Sequence, residues 1–145
     1  MPLTSAKITV SDRPALFRQG AITLSSGLAS DWKIECDALT DEDWATLAHK
    51  IGQQYYFGAV VGVPTGGLKL AAALQPYCRS GYPALLVVDD VLTTGASILK
   101  TMAEVSSPFP ERGYFTFGVV VFARGPCPKN VCPIFQLAEG FDAPA

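Results

Sequence analysis

Apolar residues in this chain come in short separate runs, and the spacing within each run predicts the element it forms. From Thr40, TDEDWATLAHKIGQQ sets Trp44, Leu47, Ala48 and Ile51 on one face at helical spacing. Thr40 is a suitable N-cap and Asp43 supplies the acid three residues on, so the helix is expected to open with a capping box. YYFGAVVGVP is aromatic and β-branched and predicts a strand ending at residues 62–64. GGLKLAAALQPYC predicts a helix opened by glycines. PALLVVDD is apolar without alternation, the pattern of a strand buried on both faces. ASILKTMAEV then predicts a helix, YFTFGVVVFA a third strand and PIFQLAE a shorter fourth. Strands and helices in this alternation predict an α/β fold, a parallel sheet with helices on both faces. Before Thr40 the pattern changes: GAITLSSGLASDWKIECDAL alternates weakly and predicts short irregular strands outside the main sheet. The expected organisation is a single domain over residues 1–145, with a core at 41–145 and a small N-terminal segment at 1–40.

Composition narrows the classes. With 49% apolar and 17% charged residues in 145, the chain has enough apolar surface for a sizeable core, which excludes disorder. A net charge of −2 without a basic run argues against nucleic acid or an anionic membrane surface as partner, so an anionic ligand must be held by local geometry. No apolar run approaches the length of a membrane span and the first residues lack a signal-peptide core, so the cytoplasm is the expected location. Cys36, Cys78, Cys127 and Cys132 read as buried small residues or idle thiols. CPKNVC is a lone close pair, and a structural zinc commonly needs two.

Two loops fall at the carboxyl ends of predicted strands, where open parallel sheets bind ligands. In LLVVDDVLTTGAS, two adjacent aspartates follow an apolar run. On a regular strand they would point to opposite packed faces at a large desolvation cost, so the strand is expected to finish near Asp89. Both carboxylates then lie in the crevice, where they accept from hydroxyl donors such as a sugar diol and help place a divalent cation. Thr93, Thr94, Gly95, Ala96 and Ser97 lead into a helix, whose unpaired N–H groups suit a phosphate. The second loop, GVPTGGLK, nearly spells a phosphate-binding P-loop, but Leu68 intervenes before Lys69 and no Ser or Thr follows, which excludes that reading. Pro64, Thr65, Gly66 and Gly67 still form a second anion nest. A diol site between two anion sites describes a ribose carrying a 5-phosphate and a separate pyrophosphate.

With these residues in place, the chain resembles the type I phosphoribosyltransferases, and within them the orotate phosphoribosyltransferases. VVDDVLTTGAS is similar to the family signature for the ribose 5-phosphate part of phosphoribosyl pyrophosphate, and GVPTGG to its pyrophosphate loop. By that resemblance Asp89 and Asp90 hold the ribose hydroxyls and contact Mg²⁺ indirectly, through ligand or water, and residues 93–97 wrap the 5-phosphate. FRQGAITLSSGLASDWKIECDAL resembles the N-terminal hood of the orotate enzymes, and VVVFARGP their late strand, which puts Arg124 beside the base. The resemblance implies phosphoribosyl pyrophosphate and a nucleobase as substrates, orotate favoured, with Mg²⁺ as cofactor and a homodimer as the assembly.

The departures concern cations. Orotate enzymes carry a mobile loop rich in Lys, Arg and His between the pyrophosphate-loop helix and the signature strand. Here that interval is LQPYCRSGYPA, with Arg79 as its single basic residue. Ser25 and Gly66 stand where members have lysines, and Lys69 is the nearest substitute. Lys69 and Arg79 are therefore the cations of this chain expected to act on departing pyrophosphate, with Lys69, Asp89 and Asp90 as the catalytic set. A phosphoribosyltransferase and a catalytically weak phosphoribosyl pyrophosphate or nucleotide sensor both follow from these residues. The shortened interval favours the sensor; the hood and Arg124 favour the enzyme.

Overall fold

The computed structural model describes residues 15–23, 29–106 and 115–137. Ser25, Ser26 and Gly27 of the hood pattern, Tyr114 of the third predicted strand, and Ala138 and Glu139 of the fourth lie outside them.

The element order is β1 (Phe17–Thr23), β2 (Ala29–Ile34), α1 (Asp41–Gln54), β3 (Ala59–Gly62), α2 (Leu68–Leu74), β4 (Ala84–Leu92), α3 (Ala96–Ser106), β5 (Phe115–Ala123) and β6 (Val131–Gln136). β1 and β2 pair antiparallel as a separate two-stranded sheet, with a register shift between Gln19 and Ile22. The other strands form one parallel sheet in the order β3-β4-β5-β6. This is the parallel α/β architecture that the strand and helix alternation predicts.

Local chemistry explains the boundaries. Thr40 Oγ1 accepts from the Asp43 N–H at 3.1 Å, and the Thr40 N–H donates to Asp43 Oδ2 at 2.8 Å, the expected capping box. Trp44, Ala48 and Ile51 of α1 are buried and Leu47 is half-buried. The aromatic run before β3 is not strand: Tyr55 caps α1, Phe57 is fully buried below it, and pairing starts at Ala59. Core packing claims the Tyr55 and Phe57 rings, while Tyr56 stays exposed. β6 begins two residues earlier than PIFQLAE implied, because Asn130 at φ 66° ends the preceding turn and Val131 pairs with Gly118.

The sheet is apolar on both sides, as the unbroken run in β4 requires. Leu86, Val88, Val119 and Val121 pack with Trp44, Ile51, Leu70 and Leu74 of α1 and α2. Val87 and Val120 pack with Ile98 of α3 on the other side. Burying each such side chain contributes about 1.5–3 kcal/mol. Among the described residues no helix is long and apolar enough to cross a membrane.

Candidate functional site

The carboxyl ends of β3, β4 and β5 open into a cavity of about 870 Å³, and the hairpin side of the molecule walls it through residues 33–37. That volume is in the range of small-molecule sites. Pro64, Thr65, Gly66, Lys69, Asp89, Asp90, Thr93, Thr94, Gly95, Ala96, Ser97 and Arg124 all line it; of the expected residues, Gly67 and Arg79 do not. Gly67 is buried at the N-cap of α2, where a Cβ would overlap the Val88 carbonyl oxygen.

The strand expected to finish near Asp89 does not stop there. β4 runs to Leu92 and stays in register with β5, Asp89 opposite Val120 and Leu92 opposite Ala123. Continuing the ladder satisfies the backbone, and both carboxylates line the cavity, close enough for the Asp90 carboxyl to act on Asp89. Asp89 Oδ1 accepts from the Asp90 N–H at 2.8 Å, and Asp90 Oδ1 from the Val91 N–H at 2.7 Å. The desolvation cost is visible in Asp89, which is 7% exposed. Burial, then the neighbouring Asp90 carboxyl, pushes its pKa up from 3.8 to about 8. Asp90 faces the 64–67 turn, where a Cβ on Gly66 would overlap its carboxylate. The peptide between Pro64 and Thr65 is cis.

The turn at 93–95 delivers the chain into α3. Gly95 sits at φ +86°, a left-handed conformation, and a Cβ there would press on Pro128. Thr94 Oγ1 accepts from the Ala96 N–H at 3.3 Å. Helix termini differ in a telling way. The first turn of α1 carries Asp41, Glu42 and Asp43, which offset its dipole, whereas the first turn of α3, at the cavity, carries no acid. The positive end of α3 is thus left available to an anion.

Arg124 follows the last residue of β5 and lines the cavity, with its guanidinium turned toward β2. Nη1 donates to the Trp32 carbonyl at 3.2 Å and Nη2 to Ser30 Oγ at 2.8 Å, and the group lies 3.7 Å over the Trp32 ring. It fastens the hairpin to the main sheet. Arg79 does not line the cavity. The 74–84 interval is a tied turn, with the Arg79 N–H on the Phe57 carbonyl at 2.8 Å and its guanidinium 4.1 Å over Tyr56. Of the two cations expected near pyrophosphate, Lys69 lines the cavity and Arg79 does not.

Residues that sequence reasoning missed are Lys33, Glu35, Cys36, Asp37 and Trp44, all on the cavity wall. Burial pushes the Cys36 thiol up, reinforced by the Asp90 carboxylate beside it, so it is an inert neighbour and not a nucleophile. Sequence spacing reads Trp44 only as a core residue of α1, and residues 33–37, though within the hood pattern, have no individual role there because only docking brings them to the sheet.

No family model matches the chain. An orotate phosphoribosyltransferase of Pyrobaculum aerophilum is 31% identical over 137 residues, covering 74% of this chain and 69% of that protein. The crystal structure of orotate phosphoribosyltransferase from Aeropyrum pernix superposes with a TM-score of 0.64 at 25% identity, over 84% of this chain and 88% of that one. Helicobacter pylori xanthine-guanine-hypoxanthine phosphoribosyltransferase shares the fold, with a TM-score of 0.55 at 14% identity, over 72% of this chain and 91% of that one. The fold is that of the type I phosphoribosyltransferases. The chain belongs to the orotate phosphoribosyltransferase family.

Proposed function

We propose that this protein transfers the phosphoribosyl group of phosphoribosyl pyrophosphate to a nucleobase, with orotate as the favoured acceptor. The observation that carries the reading is the cavity itself, where the Asp89–Asp90 pair lies between the acid-free start of α3 and the 64–67 turn. The carboxylates accept from the ribose hydroxyls, residues 93–97 hold the 5-phosphate, and the 64–67 turn with Lys69 holds the pyrophosphate. A base nitrogen, releasing its proton to the departing pyrophosphate or to solvent, forms the new bond to C1 of the ribose as the C1–pyrophosphate bond breaks, so no protein nucleophile is required. The chain contributes by positioning and by stabilising the leaving charge.

The donor set fits Mg²⁺ in a restricted manner. Among the described residues no cluster of three or more His, Cys, Asp or Glu could hold a metal. Asp89 and Asp90 each have one carboxylate oxygen given to the backbone, which leaves the others for water or ligand hydroxyls on an ion that the ligand itself carries. Bound that way, Mg²⁺ supplies neutralisation of the diphosphate. We extend the reading to a cytoplasmic homodimer, which sedimentation velocity at micromolar protein tests.

The sensor reading is favoured by one observation, the tied 74–84 turn, which carries no lid cation to the cavity. The deciding experiment is pyrophosphate release. Phosphoribosyl pyrophosphate with Mg²⁺ is expected to bind, and orotate to yield slow Mg²⁺-dependent release. Binding without release across orotate and the common purine and pyrimidine bases leaves the sensor; no binding at millimolar ligand refutes both.

A further inference from the structure

We infer that Lys33 is the specificity residue of the acceptor side and selects a nucleobase bearing a carboxylate over a neutral one; the inference rests on phosphoribosyl transfer being the reaction. Its starting point is the engagement of Arg124. With two guanidinium nitrogens on β2 and its face on Trp32, Arg124 is committed to holding the hairpin. The bond to the Trp32 carbonyl fixes the backbone one residue before Lys33, which makes Arg124 a positioning residue and Lys33 the next cation on that wall.

The electrostatics of the wall require such a cation. Glu35, Asp37, Asp89 and Asp90 line the cavity, so an acidic acceptor would meet repulsion unless a cation faced it. Lys69 sits on α2 beside the 64–67 turn, on the pyrophosphate side. Lys33 stands on β2, with Nζ 3.5 Å from Glu35 Oε2, its side chain 42% exposed and that of Glu35 14%. An ordinary surface ion pair has both members in solvent and little consequence. Here the acid is largely buried in the wall, and the ammonium keeps donors free for a second oxygen. A ligand carboxylate that enters the cavity takes up those donors in a charge-assisted bond, while a neutral ring offers Lys33 only carbonyl oxygens.

Orotidine 5′-monophosphate and uridine 5′-monophosphate differ by that one carboxylate, so their affinities isolate it. Titration calorimetry on the wild type is expected to show the first binding on the order of tenfold tighter, as for one charge-assisted hydrogen bond. The preference should shrink with salt. Lys33→Met should bring the ratio near one with phosphoribosyl pyrophosphate affinity unchanged, Lys33→Arg should retain it, and Glu35→Gln should raise it. An unchanged ratio in Lys33→Met overturns the assignment, as does a wild type that binds phosphoribosyl pyrophosphate but prefers neither nucleotide. If the methionine variant does not fold, Lys33→Gln takes its place: loss of the preference supports the assignment, and an unchanged ratio overturns it. Failure of the wild type to bind phosphoribosyl pyrophosphate marks the different case in which the phosphoribosyl-transfer reading itself is wrong.

Discussion

Replacing Asp89 by Asn should make the ligand-free protein more stable at alkaline pH, although it removes a group assigned to the ligand. Asp89 is 7% exposed, and burial raises its pKa from 3.8 to about 8. The folded state therefore keeps a proton that the unfolded chain has released. Between those two values stability falls as pH rises, and above about 8 the folded protein bears the full cost of a buried carboxylate. At about 1.4 kcal/mol per unit the cost is at most on the order of 5 kcal/mol, and relaxation and sharing of the proton with Asp90 reduce it to a few. Asparagine keeps the shape and the acceptor oxygen for the Asp90 N–H without the charge. For a domain of this size the melting temperature of the variant should exceed that of the wild type by about 5 °C or more at pH 9, with the difference closing near pH 4. Differential scanning fluorimetry across that range, with and without Mg²⁺ and phosphoribosyl pyrophosphate, measures it. Ligand should stabilise the wild type and fail to stabilise the variant. A variant less stable than wild type at pH 9, or a difference independent of pH, refutes the reasoning.

Gly66→Ala should leave the melting temperature within a few degrees while weakening phosphoribosyl pyrophosphate at least tenfold, because the added methyl displaces the Asp90 carboxylate; calorimetry and melting on one sample separate the effects. Arg124→Met should release the hairpin, with faster hydrogen exchange in β1 and β2 and little change in β4; a cation–π contact and two hydrogen bonds of this kind contribute about 1–3 kcal/mol together. Lys69→Ala should lower pyrophosphate release on the order of a hundredfold without a matching loss of ribose 5-phosphate affinity; equal losses would remove Lys69 from the leaving group.

Much of this protein is local, and local structure is legible. The capping box at Thr40 and Asp43, the two-sided burial of β4, and the anion-ready turn before α3 each depend on residues a few positions apart. Spacing alone therefore fixed the parallel sheet and the residues at its carboxyl edge. Three features were decided only by tertiary structure. β4 continued through Asp89 and Asp90 because pairing with β5 satisfied the backbone, and the cost moved into the raised Asp89 pKa. Arg124, at the cavity, engaged β2 because the docked hairpin offers its guanidinium a stacking ring and two acceptors. Lys33, Glu35 and Cys36 reached the cavity because a hairpin far from Asp90 in sequence docked over the sheet. Sequence periodicity encodes which face of an element is apolar, but docking two elements is a contest among distant side chains that no single stretch records.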